Sequence, residues 1–152
     1  MTGNESHFAY LDDPDLPGWK RWELRDTTRF NASLGPLSVR LRDDGVALVR
    51  MVPTRAHSNL QDLMHGGALL AFMDMALFAA ARSLGVVTAG AAVTLDLSAQ
   101  FIGTGKVGQP VIAEMEILRE TGRLLFMRGL VKQGDGLLAS FSATVRKFSP
   151  RK

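Results

Sequence analysis

From Asn59 to Leu84 the chain reads NLQDLMHGGALLAFMDMALFAAARSL, an apolar run opened by a histidine and two glycines and carrying one acid, Asp74, at its centre. A run of this length reads as a long core helix from about Gly66 to Leu84, with Gly85 as its stop. Taking even a neutral polar group out of water without a partner costs about 2–7 kcal/mol, and a carboxylate more, so an acid kept here needs a partner or a use. At three- and four-residue spacing Asp74 has only Leu70, Ala71, Leu77 and Phe78 as neighbours, all apolar. A strand hydroxyl or a backbone amide would satisfy it structurally; chemically, it is placed to act as a general base or a nucleophile. The glycine pair also has two readings. One is a tight turn where loop and helix approach closely. The other is an oxyanion site, because a helix starting at Gly66–Gly67 presents unpaired N–H groups and a positive dipole end with no side chain in the way.

A membrane span is the poorer reading of this run. Gly66 to Ala81 is 16 residues, below the roughly 20 that cross a bilayer, and an acid at the centre of a membrane helix is rare. A core helix instead needs a sheet to lie on. Leu37–Arg42 and Val46–Val52 read as strands joined at Asp43-Asp44-Gly45, whose Asp-Gly step is a hairpin signal. After the helix, Val93–Ile102 alternates, with Val93, Leu95, Leu97, Ala99 and Phe101 on one face and Thr94, Asp96, Ser98 and Gln100 on the other. Val111–Leu118, Leu124–Lys132 and Leu137–Lys147 follow as three more strands, with turns at Glu120–Arg123 and Gly134–Gly136. Upstream, residues 1–17 read as a loosely ordered lead-in punctuated by Pro14 and Pro17, and Gly18–Phe30 as a short amphipathic helix presenting Trp19, Trp22 and Phe30. The expected organisation is an N-terminal lead-in over residues 1–29 and one domain over 30–148. Its class is α+β, an antiparallel sheet wrapped around one long helix.

Nine residues of helix advance about 13.5 Å and turn about 900°, so positions 65 and 74 lie on opposite faces. His65 and Asp74 of one chain therefore cannot meet around one small reacting bond, and a site using both would take them from different subunits.

Composition narrows the chemistry further. At 152 residues, with 46% hydrophobic and 22% charged, the chain is an ordinary globular domain large enough for a real core. It has no cysteine, which excludes a disulfide framework, a thiol nucleophile and Cys-ligated zinc. The formal net charge of +3 is scattered, with no basic face and no aromatic platform, so no nucleic-acid partner is expected; the balance mildly favours a phosphate-bearing ligand. The first residues, MTGNESHFAYLDDPDLPG, place acids and prolines where a signal peptide needs an apolar core, so a cytoplasmic location and no membrane partner are expected. His7, His57 and His65 lack metal-ligand spacing with carboxylates, and no metal or other cofactor is expected. Gly103-Thr-Gly105-Lys-Val-Gly108 matches a dinucleotide-binding string, yet no helix pattern follows it, so it reads as an interstrand loop. There is no Gly-x-Ser-x-Gly elbow for a serine hydrolase, and Met64, Met73 and Met75 read as core filler.

Asn59, His65-Gly66-Gly67 and Asp74, at this spacing, resemble the signature of hotdog-fold acyl-CoA thioesterases of the phenylacetic-acid-degradation (PaaI-like) type. AVTLDLSAQFIGTG from Ala92 to Gly105, Thr121-Gly122-Arg123, and the segment from Phe30 to Thr54 resemble other parts of the same family. The resemblance implies a hotdog fold and hydrolysis of an acyl- or aryl-CoA to free acid and CoA at sites shared between two subunits, with homodimers paired further into a homotetramer. It implies that Asp74 is base or nucleophile, that the Gly66 amide is the oxyanion donor, that His65 supports the turn and contacts the thioester region, and that Asn59 holds the attacking water or the carbonyl. Gly67 and Thr94 complete the substrate-binding set, Thr94 through a hydroxyl that helps position the acid. One departure is Asp62, where the family commonly has glycine; aspartate enters the left-handed region at modest cost. The reading of another class is a non-catalytic acyl-CoA-binding or regulatory protein, for which Asp74 would have no use. The hotdog dehydratases pair acid and histidine at other positions, which this arrangement does not resemble.

Overall fold

A computed structural model describes residues 7–86 and 92–148. The elements, in chain order, are strands β1 (Phe8–Asp12) and β2 (Lys20–Leu24), a 3-10 turn (Phe30–Leu34), strands β3 (Leu37–Leu41) and β4 (Ala47–Met51), a second 3-10 turn (Arg55–His57), helix α1 (Gly66–Ser83), and strands β5 (Ala92–Phe101), β6 (Val111–Glu120), β7 (Leu124–Gln133) and β8 (Gly136–Lys147). All eight strands form one antiparallel sheet in the order β1-β2-β3-β4-β6-β7-β8-β5, which leaves β1 and β5 as its edges. The expected α+β architecture is present, one long helix against a curved sheet.

The helix lies where its apolar stripe dictates. Leu69, Phe72, Met73, Ala76, Leu77 and Ala80 recur at three- and four-residue spacing, are buried, and meet inward residues of the strands such as Val49, Val111, Met115, Leu125 and Met127. Each large side chain removed from water in this way contributes about 1.5–3 kcal/mol. By length and composition α1 could cross a membrane, but its apolar face is the one packed on the sheet. The helix stops at Gly85, which takes φ +74°. There the Val86 amide donates to the Ala81 carbonyl and the Gly85 amide to that of Arg82, both at 3.0 Å, the pairing that lets a glycine close a helix.

The N-terminal expectation fails, for a reason that lies in pairing. Residues 20–24, read as part of a short helix, form β2, and residues 8–12, read as loose, form β1, which pairs with it from Phe8↔Leu24 to Asp12↔Lys20. The three-residue spacing of Trp19 and Trp22 suggested one helical face, but the two rings lie in different places. Trp22 is buried and stacks on Phe8 with ring centroids 4.1 Å apart, whereas Trp19 lies under the Arg40 guanidinium at 5.1 Å. Tyr10 of β1 also carries the Arg82 guanidinium over its ring at 4.6 Å, tying this hairpin to the last turn of α1.

A buried acid pins the same hairpin. Asp13 is 6% exposed, accepts from the Ser38 hydroxyl at 2.6 Å and from the Asp15 amide at 3.0 Å, and faces the Arg21 guanidinium at 3.6 Å. The Ser38 hydrogen bond, above all, holds its carboxyl below the usual carboxylate range against the opposing effect of burial, with help from the Asp15 amide and Arg21. A carboxyl depressed in the native state contributes stability that is fully present above its unfolded pKa of about 3.9 and is lost as pH falls through the native value. The melting temperature of the wild type should therefore drop more steeply below about pH 4 than that of Asp13→Asn. Parallel curves for the two proteins would remove Asp13 from the acid sensitivity of the fold.

Candidate active site

Loop 58–65 delivers the histidine and the glycines to the start of α1. Asn59 closes the loop: its side-chain oxygen accepts from the Gln61 and Leu63 amides at 2.9 and 3.1 Å, and its own amide donates to the Leu63 carbonyl at 2.8 Å. Asp62 sits in this turn at φ +59°, so the residue that departs from the familiar glycine adopts the left-handed conformation the turn requires. The Asn59 oxygen is thus spent on the loop, and its amide nitrogen is the side-chain atom the turn does not use. Behind the loop, the Met64 amide donates to the Gly105 carbonyl at 2.8 Å, and a Cβ on Gly105 would stand 3.3 Å from that of Met64. The glycine-rich segment 103–108 therefore lets two loops touch.

His65 is the N-cap of α1. Its carbonyl takes the first helical hydrogen bond, from Leu69 at 3.0 Å, and its Nδ1 accepts from the Gly67 amide at 2.8 Å. A backbone N–H can only donate, so Nδ1 is the acceptor and the ring's N–H is on Nε2. Gly67 is glycine for this reason: a Cβ there would lie 3.0 Å from Nδ1 and push the ring away. Gly66, the first helical residue, is exposed, and its amide has no acceptor among the described residues. A Cβ on Gly66 would meet only the edge of the Phe101 ring, at 3.7 Å.

His57 is a contributor that sequence reasoning considered only as a metal ligand. Buried at 8% exposure, it accepts the Thr54 amide at Nδ1 (2.9 Å) and meets the Ser33 carbonyl through Nε2 (2.8 Å), while its own carbonyl receives the His65 amide at 2.7 Å. It buckles the two 3-10 turns together directly behind His65. The Thr54-x-x-His57 spacing, an N-cap box around the second turn, was the only local signal.

Asp74 is half-buried rather than buried, on the side of α1 turned toward β5. The Thr94 hydroxyl donates to Oδ1 at 2.6 Å, and Oδ2 accepts no hydrogen bond among the described residues. The strict alternation expected of β5 would have turned Thr94 away from Leu97 and Ala99. A bulge intervenes: Thr94 pairs with Val145 and Asp96 with Thr144, so Leu95 is an extra residue and the parity resets. Thr94, Leu97 and Ala99 consequently face the helix, while Val93 and Leu95 stand 41% and 55% exposed.

The candidate residues thus form two groups within one protomer. Asn59, His65, Gly66 and Gly67 surround the N-terminus of α1; Asp74 and Thr94 sit two turns further on. Eight residues of helix separate Gly66 from Asp74, about 12 Å along the axis, so a carbonyl held at the Gly66 amide is out of reach of the same chain's acid. Among the described residues no three His, Asp or Glu side chains gather to hold a metal ion.

A sequence profile described as the thioesterase superfamily matches residues 61–140, the stretch carrying every candidate residue except Asn59. Among solved structures the chain is similar to a mutant of the phenylacetic acid degradation protein PaaI from Thermus thermophilus, with 28% identity over 78% of this chain and 98% of that one and a TM-score of 0.63. The PaaI protein of the Escherichia coli phenylacetic acid degradation operon superposes with a TM-score of 0.67 at 21% identity, over 82% of this chain and 86% of that one. A hypothetical thioesterase of Streptococcus pneumoniae, solved with coenzyme A, has a TM-score of 0.64 at 20% identity, over 76% and 91%. No curated protein matches the sequence.

Proposed function

The chain belongs to the thioesterase superfamily, in its PaaI-like hotdog branch, and from that premise we propose that it hydrolyses an acyl-CoA to the free acid and coenzyme A. The observation that carries the proposal is the pair of complementary groups on one helix: an open amide at Gly66 and, on another face, a carboxylate with one oxygen held by Thr94. The thioester oxygen accepts from the Gly66 amide, where the helix dipole and the Nε2–H of His65 favour the charge that develops on it. Asp74 of the partner subunit acts from the opposite side. As a base it takes a proton from water, whose oxygen bonds to the carbonyl carbon; the C–S bond then breaks and the sulfur leaves with a proton. As a nucleophile, the Asp74 carboxylate displaces the CoA thiolate to form an anhydride; water opens it to the free acid and the regenerated carboxylate, and the proton released goes to the thiolate. Thr94 supports either course by leaving Oδ2 as the reactive oxygen.

The active unit in this proposal is a homodimer with two composite sites, paired further into a tetramer. Strand β5 is an edge with exposed Val93, Leu95 and Phe101, and Leu70 of α1 stands 37% exposed, an apolar margin that a second copy would cover. Thiol release from short, medium, long and aromatic acyl-CoAs tests the activity. Complementation tests the composite site: an equal mixture of His65→Ala and Asp74→Asn chains, each inactive alone, should regain about a quarter of wild-type turnover, because half of the dimers are mixed and each holds one intact site. No recovery after verified subunit exchange would place all the chemistry within one chain.

A further inference from the structure

His65 stands between two unlike grooves. One carries the charged and amide side chains of Arg55, Asn59, Gln61 and Asp62 beside the exposed Leu60. The other lies between the 3-10 turn at Phe30–Leu34 and the first turns of α1, and its walls are Phe30, Leu34, Ala56, Ala68 and Ala71, with Gly67 and His65 at one end. Its volume is about 480 Å3, within the ~300–1,000 Å3 usual for small-molecule sites. No Lys, Arg, Asp or Glu lines it. Of the polar groups that reach it, both nitrogens of His57 are engaged and the Ser58 hydroxyl donates to the Arg55 carbonyl at 2.7 Å, while Ser33 and His65 add one hydroxyl and one ring N–H at its edge. Phe30 stands at the rim with 71% of its surface exposed, an aromatic ring presented to water beside an apolar groove.

A thioester has the same asymmetry, an apolar acyl arm on one side of its carbonyl and a polar coenzyme arm on the other. We propose that the apolar groove seats the acyl arm and selects an uncharged acyl group of medium length, with Phe30 closing over it and Ala71 setting the room beneath. This inference rests on the thioesterase reading above. A carboxylate-ended acyl group is disfavoured because its charge would leave water with no cation to meet it, and an acetyl group leaves most of the groove unfilled.

The test compares kcat/KM for acetyl-, octanoyl- and succinyl-CoA in the wild type, Phe30→Ala and Ala71→Leu. The wild type should prefer octanoyl-CoA over both of the others. Each substitution should lower the octanoyl-to-acetyl ratio about tenfold, the scale of a small mismatch in an apolar pocket. An unchanged ratio in both variants, or a wild type that prefers succinyl-CoA, overturns the assignment of the groove while leaving the hydrolase intact. Phe30 is exposed, so its variant reports even if Ala71→Leu folds poorly. If the wild type cleaves none of the three, calorimetry with the uncleavable thioether S-octyl-CoA decides the groove, and the long-chain and aromatic thioesters decide the hydrolase. Tighter binding of S-octyl-CoA than of CoA, lost in Phe30→Ala, upholds it; equal binding of the two by the wild type refutes it.

Discussion

Asp74→Asn protein should fold like the wild type and turn over acyl-CoA about 10²–10⁴-fold more slowly, the usual contribution of a general base. The carboxamide is nearly isosteric and its oxygen can still accept from Thr94, so the packing of α1 against β5 is preserved. What disappears is the anionic oxygen that takes the proton or attacks the carbonyl. The loss should fall on kcat with little change in KM, because the acid acts on the reacting atoms and the substrate's binding arms lie elsewhere. Thr94→Val should give a smaller loss, since it frees the carboxylate to rotate without removing it. Most of the activity surviving in folded Asp74→Asn would eliminate Asp74 as the catalytic group and favour a purely structural acid.

The second large effect separates the two glycines. Gly66 lies in the helix and outside the left-handed region, and a methyl group there meets only the Phe101 ring at ordinary contact distance, so Gly66→Ala should melt within a few degrees of the wild type. Its turnover should nevertheless fall, toward the ~10²–10³ typical of a lost oxyanion donor, because the methyl group stands where the thioester approaches the amide. Gly67→Ala should behave differently. A Cβ 3.0 Å from Nδ1 makes the His65 ring give by a few tenths of an ångström, weakening a cap worth about 1 kcal/mol and shifting its Nε2–H. Thermal unfolding and turnover measured on the same samples distinguish the pair. A stable Gly66→Ala with near-normal turnover would reduce Gly66 to a turn residue, and an unchanged Gly67→Ala would show that the His65 cap has no part in catalysis.

Much of this was legible along the chain. The helix from Gly66, its stop at Gly85, the hairpin at Asp43-Asp44-Gly45 and the three strands after residue 110 all declare themselves by local periodicity and turn chemistry. The incompatibility of His65 and Asp74 in one protomer also follows from helical geometry alone. Other features were invisible for an equally physical reason. Residues 20–24 look helical by the spacing of their tryptophans, but Trp22 is secured by Phe8 and by pairing with Leu37, neither of which is a sequence neighbour.

The sequence by itself determined the fold class, the position of the glycine-opened helix and which side chains could carry chemistry, because these depend on the order of residues within a turn or a strand. The resemblance points to Thr94, but tertiary structure alone decided how it comes to face Asp74, since the bulge at Leu95 arises from how β5 pairs with β8 and leaves no mark in the alternation of β5. It alone decided that His57 buckles the turns behind His65, and that Phe30 lines a groove with Ala68 and Ala71. Contacts of that kind join residues far apart in the chain, and only the folded sheet and helix bring them within hydrogen-bond or van der Waals reach.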